Sequence, residues 1–415
     1  QFSVKDADSL RCWADEFRPI VETILVPEAQ SPPLPADERT RRLEASSLGQ
    51  RLLEVQALSP LEFVLSEFEN DAVRAGLLFF NGLREVDLRL KGFGHSIPSL
   101  LASPHKAQMC IGGSAQLAEA LRSDIVEHGG EVRLNEELAS ILFENGKACG
   151  IELVSGERIG ASFVVSGLNP QQTFVDLIDA NDSPDRTRQA AEQFQYNLLA
   201  PLFALNVCLH EAPAYQAAEV DGRLNEAFMV IMGLDRFSQF EQIVQAHEEG
   251  KLPPTVMWGA CPSVFDPSQA PTGKHSAFMW EKLPYQLDGD SANWDEAAAR
   301  HGRELLELWR RYAPNLSDEC VIDSFSRSPL EITRTLPNMH NGDLLVGSFD
   351  NNQIGANRPF AGAGCYRTEL PGLYLCGGST HPGGNITGLC GYNSARVITA
   401  DLSLPVWWTH PELTY

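Results

Sequence analysis

A glycine-rich segment near the C-terminal end constrains the fold of this chain more than any other feature. The apolar run Leu373–Cys376 predicts a buried strand, and Gly377-Gly378-Ser379 follows it directly. A second pair, Gly383-Gly384, precedes Asn385, which is predicted to cap a helix that runs from Ile386 to about Asp401. Glycines let a backbone approach a flat or anionic ligand closely, and the first N–H groups of a helix carry partial positive charge. The segment therefore predicts a ligand site.

The predicted helix has one face of small residues. Gly384, Gly388, Gly391 and Ala395 follow one another at intervals of four, three and four residues. Glycine inside a helix costs roughly 1 kcal/mol relative to alanine, so this face is expected to pack closely against something. A pyrophosphate, or the pyrimidine edge of a flavin, suits such a turn and helix start. The alternative is a tight contact between helix and strand without a ligand.

The first 165 residues predict helices followed by a small antiparallel meander. Helices are expected over Asp6–Ile24, with a break or kink at Pro19 and a stop before Pro27, and over Ala36–Leu58. A further helix is predicted after Ser114. Short strands are then predicted over residues 131–134, 138–143, 148–154 and 162–165, with Asn145-Gly146 as a hairpin turn.

The middle of the chain mixes predicted strands and helices. Strands are expected over residues 203–209, 227–232, 255–258 and 276–280, and helices over residues 239–247 and 295–312. Glu281, Asp288 and Asp290 are predicted to form a solvated acidic loop.

The charge and cysteine content exclude several function classes. The 415 residues contain 32 Lys and Arg against 55 Asp and Glu, a net charge of −23, which disfavours binding to nucleic acid. Nine cysteines lie far apart without a CxxC pair or a Cys/His pair at zinc-ligand spacing, so we predict free thiols in a reducing compartment and no metal site. No signal peptide and no run of 18 apolar residues is found, which predicts a cytoplasmic protein with at most peripheral membrane contact.

The segment LYLCGGSTHPGGNITGLCGYNSARVI, residues 373–398, resembles the C-terminal flavin-binding motif of the phytoene-desaturase-like branch of the flavin amine-oxidase superfamily. That branch includes carotenoid desaturases and ketolases, retinol saturase and the pyridine-nucleotide-disulphide-oxidoreductase-domain-2 type. Blocks at residues 110–121, 131–170, 328–337 and 357–375 resemble the family in the same order. The resemblance implies an α/β, two-lobed FAD-dependent oxidoreductase fold, in which discontinuous segments form the FAD-binding lobe and a mixed α+β lobe holds the substrate.

The resemblance also implies a division of the chain. Residues 1–105 are expected to be the helical part of the substrate lobe, and residues 106–175 the helix and β-meander of the FAD-binding lobe. Residues 176–340 would complete the substrate lobe, residues 341–402 would carry the C-terminal flavin motif, and residues 403–415 would be a tail.

One part of the family pattern does not occur in this sequence. The family begins with a βαβ unit carrying GxGxxG, which cradles the FAD pyrophosphate, and these 415 residues contain no GxGxxG. We expect a complementary N-terminal dinucleotide-binding chain that remains bound, either as a separate subunit or as a processed fragment. A truncated sequence is the third explanation.

The resemblance implies flavin contacts that are made largely through the backbone. Leu138 would contact adenine, and the turn that follows the last strand would contact the phosphates, the ribityl chain and the isoalloxazine. The cofactor-binding residues so implied are Leu138, Gly377, Gly378, Ser379, Gly384, Asn385, Ile386 and Thr387.

The resemblance says less about catalysis. Gly112 and Gly113 would form a turn at the substrate channel, and His381, between the two glycine pairs, is a candidate acid, base or orienting group. The larger expectation for His381 is a hydrogen bond that supports the turn. No Ser-His-Asp spacing, HExxH or Walker pattern supports a hydrolase, metalloprotease or NTPase.

The resemblance implies an FAD-dependent oxidoreductase of the dehydrogenase, desaturase or oxidase type. It would move a hydride between an apolar or amphipathic organic substrate and the flavin. The alternatives are a flavin enzyme without net redox change, such as an isomerase or hydratase, and a non-catalytic subunit of a flavoprotein complex. A carrier for a lipid or polyene is a weaker alternative, because a plain binder has no need of the glycine turn.

Overall fold

The computed structural model describes residues 3–82, 86–103, 108–234, 236–350, 352–413 and 415. The chain divides into two units. The first unit comprises Gln1–Pro104, Asn135–Ala200 and Leu336–Tyr415, and the second comprises His105–Leu134 and Pro201–Thr335. The first unit thus holds both the N-terminal helices and the glycine-rich segment. The functional assignment of the predicted lobes stays a prediction.

The helices and strands of the described residues follow one another along the whole chain. The helices are α1 (Val4–Ile20), α2 (Val26–Ala29), α3 (Ala36–Glu44), α4 (Ser47–Gln56), α5 (Pro60–Glu67), α6 (Asp71–Gly82), α7 (Ser96–Ala102), α8 (Ala115–Glu127), α9 (Asp185–Glu192), α10 (Gln239–Glu248), α11 (Trp294–Tyr312), α12 (Pro329–Thr335) and α13 (Leu389–Asp401). The strands are β1 (Leu138–Glu144), β2 (Lys147–Leu153), β3 (Arg158–Gly160), β4 (Val164–Ser166), β5 (Leu202–Leu209), β6 (Val230–Met232), β7 (Met257–Ala260), β8 (His275–Lys282), β9 (Val321–Arg327) and β10 (Leu373–Leu375).

The first helical segment neither breaks at Pro19 nor stops before Pro27. Pro19 lies inside α1, and the helix continues through a π-helical turn, Val21–Leu25, into α2, which holds Pro27 in its first turn. A proline at the start of a helix removes an N–H group that has no partner there. Proline inside a helix costs roughly 3 kcal/mol, which burial of large apolar side chains such as Phe17 and Ile20 outweighs at roughly 1.5–3 kcal/mol each.

The predicted helix over residues 36–58 is in fact two helices, α3 and α4. Ser46 begins the second one, because its side chain accepts a hydrogen bond from the Gly49 N–H at 3.0 Å. A serine that caps a helix start satisfies one of the N–H groups that lack an intrahelical partner. The division therefore follows from a local capping signal.

The predicted meander is confirmed in part: its hairpin forms, one predicted strand does not form, and the last predicted strand pairs elsewhere. Strands β1, β2 and β3 form an antiparallel sheet, and Asn145 and Gly146 take φ values of 53° and 76°, the positive values that a tight hairpin turn requires. Residues 131–134 form no strand, and Leu134 is 72% exposed. Strand β4 instead pairs in parallel with β10, so that Ser166 lies opposite Leu375.

The second unit is built on a five-stranded antiparallel sheet in the order β6-β7-β8-β5-β9. Helix α11 covers one face, where Trp294 and Trp309 pack among core side chains that include Phe203. Strand β9 was not predicted. It is an edge strand whose side chains are mostly exposed and polar, so it lacks the apolar alternation on which such predictions depend.

The acidic loop prediction is wrong for Glu281. This residue lies on β8, is 1% exposed, and accepts or shares a hydrogen bond with Nε2 of His301 on α11 at 2.8 Å. Burial raises the pKa of the Glu281 carboxyl group. Asp288 and Asp290 are exposed, as predicted, and Asp288 pairs with Lys251.

No helix within the described ranges is both long enough and apolar enough to cross a membrane.

Candidate functional site

The site is built where two neighbouring parallel strands end. Strand β10 runs into Gly377, and β4 runs into Gly167, with the Cys376 N–H donating to the Ser166 carbonyl at 2.8 Å. A Cβ atom at position 377 would lie 2.2 Å from the Gly167 carbonyl oxygen, so only glycine allows these two backbone segments to lie so close together. Ligands of open parallel sheets bind beyond the carboxyl ends of the strands. The two loops therefore meet at the edge where a ligand is expected.

Two asparagines fix the loop that follows β4. The Asn169 N–H donates to Oδ1 of Asn338 at 2.6 Å, and Nδ2 of Asn169 donates to the Asn338 carbonyl at 3.2 Å. Nδ2 of Asn338 donates to the Gly167 carbonyl at 3.4 Å. Sequence reasoning missed this pair, because the two residues are 169 positions apart.

The glycine turn packs against a loop over residues 343–347. A Cβ atom at position 384 would lie 2.5 Å from the Leu345 carbonyl oxygen. The buried carboxylate of Asp343 shapes this loop, because it accepts hydrogen bonds from the N–H groups of Asn197, Leu345 and Gly347 at 2.8–3.0 Å. Protein contacts thus account for Gly384.

Arg358 joins the same loop to the turn and was not predicted. Its side chain is fully buried. Nη1 donates to the Ser348 carbonyl at 2.8 Å, and Nη2 donates to the Gly378 carbonyl at 3.1 Å. Burial lowers the pKa of this guanidinium to about 10, which leaves it protonated at neutral pH.

The final helix begins later than predicted. It starts at Leu389 with Gly388 at the capping position, so Asn385 does not cap it, and Gly384, Asn385 and Ile386 precede it rather than forming its first turn. Ile386 is 87% exposed, and Thr387 is exposed as well. A Cβ atom at Gly388 or Gly391 would meet no atom of the described chain within 4 Å. The small face predicted for this helix is therefore open at its N-terminal end.

His381 links the glycine turn to the backbone of Glu28 and to Tyr366. Its Nε2 lies 3.1 Å from the Glu28 carbonyl, and its own carbonyl accepts a hydrogen bond from the Tyr366 hydroxyl at 2.7 Å. Burial lowers the pKa of the imidazole. Ser379, on the same turn, is buried.

The remaining predicted residues are distant from the turn in sequence, and two of them belong to the other unit. Leu138 is the first residue of β1, opposite Leu153. Gly112 and Gly113 belong to the second unit, with φ values of 83° and 93°. The Gly112 N–H donates to Asp266 Oδ2 at 2.7 Å, and hydrogen bonds, first from the Ser268 side chain and then from Gly112, lower the pKa of Asp266 to about 2.

Four aromatic side chains, here called the aromatic surface, lie on the sheet face opposite α11: Trp258, Phe278, Trp280 and Phe325. Trp258 is buried, and Phe278 and Trp280 are half-buried. The register places it there, because Glu281 faces α11 and Trp280 precedes it on β8. The Trp280 ring lies 4.6 Å from Phe278 and 6.1 Å from Trp258, centroid to centroid. Phe325, on the edge strand, is 54% exposed.

Comparison with known proteins identifies the family. Residues 10–389 match the flavin-containing amine oxidoreductase family. The chain belongs to this family. The match confirms the predicted family, the fold class, FAD as the cofactor and the class of FAD-dependent oxidoreductase.

Individual relatives of the family are distant. One of the subunits of limonene dehydrogenase from Castellaniella defragrans is 26% identical, over 99% of this chain and 77% of that protein. The neurosporene-forming phytoene desaturase of Rhodobacter capsulatus is 25% identical over 68% of this chain, which spans 51% of that relative's length. A solved putrescine oxidase variant has a TM-score of 0.53 at 11% identity, covering 95% of this chain and 76% of that one, and supports the fold alone.

The flavin of this family fits the residues at the turn. The open positions at Gly388 and Gly391 leave a bare helix face beside exposed backbone over residues 385–388. A flat ring needs such a surface, and the first N–H groups of α13 point toward its open end. The glycines at 377 and 384 act differently, because they are needed for contacts within the protein.

Proposed function

We propose that this chain contributes the flavin turn and the substrate surface of an enzyme that moves a hydride from an apolar or amphipathic organic molecule to FAD. The observation that carries the proposal is the meeting of the β4 and β10 loops beside the open face of α13. It supports contact with the ring end of FAD through Gly377, Gly378, Ser379, Gly384 and the residues up to Thr387.

The aromatic surface supports an apolar substrate. Trp258, Phe278 and Trp280 form a continuous set of rings. Phe325 lies on the same face of the sheet, with strand β5 between it and Phe278, and is 54% exposed. Aromatic side chains bind apolar molecules through large contact areas. Two relatives, the limonene dehydrogenase and the phytoene desaturase, are also named after hydrocarbons.

Within this proposal, the chain binds and orients, and bound FAD supplies the hydride-accepting chemistry. Gly377 and Gly384 let three loops meet so that backbone, rather than side chains, borders the ring. Arg358 fixes the Gly378 carbonyl, and His381 fixes the turn against Glu28. The aromatic surface would exclude water from the substrate.

We propose that a second polypeptide supplies the GxGxxG unit and packs on helix α8. Not one residue of this helix is buried, although Leu117, Leu121 and Ile125 line one side at helical spacing. Val132 and Leu134 are exposed in the stretch that follows. An amphipathic helix normally buries its apolar side, so α8 calls for a partner surface. The limonene dehydrogenase relative is itself named as one of several subunits, which supports an enzyme made of more than one chain.

The experiment is to purify the complex through a tag on this chain and to record its absorption spectrum and a denaturing gel. We expect a flavin spectrum and an additional, smaller chain. Leu121→Glu should remove both while this chain stays folded, because Leu121 is exposed. Ser123→Glu, on the other side of α8, is the matched control and should retain both.

Three results would contradict parts of the proposal. Stoichiometric FAD on this chain alone, or one longer polypeptide carrying both parts, would exclude the separate partner chain. A colourless complex that releases no FAD on denaturation would contradict the enzyme itself. Turnover of a substrate without consumption of an electron acceptor would favour an isomerase or hydratase instead.

A further inference from the structure

Arg358 is a buried cation with unusual partners. Six backbone carbonyl groups surround its two terminal nitrogens at 2.8–3.5 Å, and the nearest two belong to Ser348 and Gly378. The guanidinium carbon lies 4.3 Å from the centre of the Phe349 ring. Nε is buried and has no hydrogen-bond partner among the described residues. Carbonyl dipoles and a ring face hold this charge.

No carboxylate oxygen in the described part of the chain lies within 4 Å of the Arg358 guanidinium. Asp343 favours the charged form only at longer range. A buried charge without a close counter-ion is costly, and a neutral side chain that fills the same space is often tolerated better. We therefore infer that the positive charge of Arg358 has a role beyond the hydrogen bonds of its side chain.

The charge lies directly behind the proposed flavin turn. Nη2 contacts the carbonyl of Gly378 at one end of the turn, and a Cβ atom at Gly383, at the other end, would lie 3.6 Å from Nε. The first distance joins the guanidinium to a residue that the proposed function places against FAD, and the second joins it to the residue directly before Gly384. In a buried environment a positive charge acts more strongly on its neighbours than it does in water.

We propose that Arg358 stabilises the negative charge that FAD gains on reduction and so raises the reduction potential of the bound flavin. This inference rests on the proposed function. A hydride brings two electrons and one proton, so neutral FAD becomes a reduced flavin with one negative charge, while the substrate gives up that hydride. In this proposal Arg358 acts on the flavin through its charge and not by direct contact.

The competing explanation is that Arg358 only fixes the shapes of two loops. The two explanations differ in what a change of charge does. Arg358→Lys keeps a positive charge on a flexible chain, and Arg358→Met keeps an apolar stem without charge. Arg74→Met is the matched control, because Arg74 also donates to backbone carbonyls, of Phe68 and Leu65, and not to the turn.

The test is an anaerobic dithionite titration of each flavin-containing complex against a reference dye. We expect Arg358→Met to lower the equilibrium constant for two-electron reduction at least tenfold, about 30 mV. Arg358→Lys should stay within threefold of the unmodified complex, and Arg74→Met should not change the potential. Flavin retention with an unchanged potential in Arg358→Met, or an equal loss in Arg358→Lys, would refute the proposal.

A second measurement needs no variant. If the reduced flavin carries a negative charge, its formation takes up one proton for two electrons, and the potential falls by about 30 mV per pH unit between pH 6 and pH 8. A slope of about 59 mV per pH unit means two protons and a neutral reduced flavin, which would overturn the inference. A complex without flavin would instead refute the proposed function.

Discussion

Replacing Gly391 by alanine tests whether the bare face of α13 is kept open for a ligand. The added Cβ meets no atom of the described residues within 4 Å, so it creates no clash with them. Alanine in a helix is favoured over glycine by about 0.5–1 kcal/mol. The first unit has about 250 residues, and unfolding entropy is about 2.1 cal/mol/K per residue, so the melting temperature of the chain without FAD should rise by about 1–2 °C.

The same substitution should weaken FAD binding. If the ring lies against this face, one methyl group forces it away from the helix, and overpacking of this kind costs about 1–3 kcal/mol. At about 1.4 kcal/mol per tenfold, this cost corresponds to a fall in affinity of roughly 5- to 150-fold. The assay is thermal unfolding with and without FAD, together with titration of FAD into the protein complex. A gain in stability with unchanged FAD affinity would refute the ligand role of the face.

Gly377→Ala is the comparison variant. Its Cβ would lie 2.2 Å from the Gly167 carbonyl oxygen, which is backbone and cannot turn aside. We expect a loss of about 1–3 kcal/mol of stability with or without FAD. The two glycines should therefore give opposite signs in the protein without FAD, although both belong to the same motif. Equal signs would show that the close approach at position 377 is relieved by movement of the loops.

Three further predictions concern the second unit. Burial lowers the pKa of His247 to about 4, below its ordinary value of about 6.5. The unit should therefore lose up to about 3 kcal/mol of stability as the pH falls from 6.5 to below 4. His247→Phe should flatten this pH dependence, measured by denaturant unfolding at a series of pH values. Hydrogen bonds from Ser268 and Gly112 lower the pKa of Asp266 to about 2, so the bond to the Gly112 turn should persist above pH 4 and be lost toward pH 2. Hydrogen exchange of the Gly112 amide should become faster in Asp266→Asn at pH 7. Phe325→Asp should raise the KM for an apolar substrate at least several-fold while the melting temperature shifts little, because the side chain is half exposed; an unchanged KM would remove Phe325 from the substrate surface.

Turns and helix starts are set by interactions between residues close in sequence, so the sequence carries a local signal for them. Asn145 and Gly146 fix the hairpin because both take positive φ values, and Ser46 divides the second helix through a bond to an N–H three residues away. Edge strand β9 has no such signal, because its side chains are mostly exposed and polar and do not alternate with apolar ones. Glu281 was misjudged for a different reason, because its partner His301 lies on another element.

The candidate site divides in the same way between local and distant causes. A glycine pattern locates the turn after β10, since two glycine pairs follow the apolar run Leu373–Cys376 within eight residues. The pattern does not reveal Arg358 or Asp343, because both act on backbone groups that every residue type presents. Contacts to backbone groups do not depend on the residue type of the partner, so only the three-dimensional structure reveals them.

The glycines of the turn also have two different physical causes, which a sequence motif combines into one. Gly377 and Gly384 are required because backbone oxygens lie within 2.5 Å of where a Cβ would be, and this requirement would hold in a chain that binds nothing. Gly388 takes a φ of 71°, which is a backbone reason of its own. Gly391 has neither cause: its Cβ position is open and its helix would be more stable with alanine. Of the four, Gly391 is therefore the position at which a ligand, rather than the fold, best explains the residue.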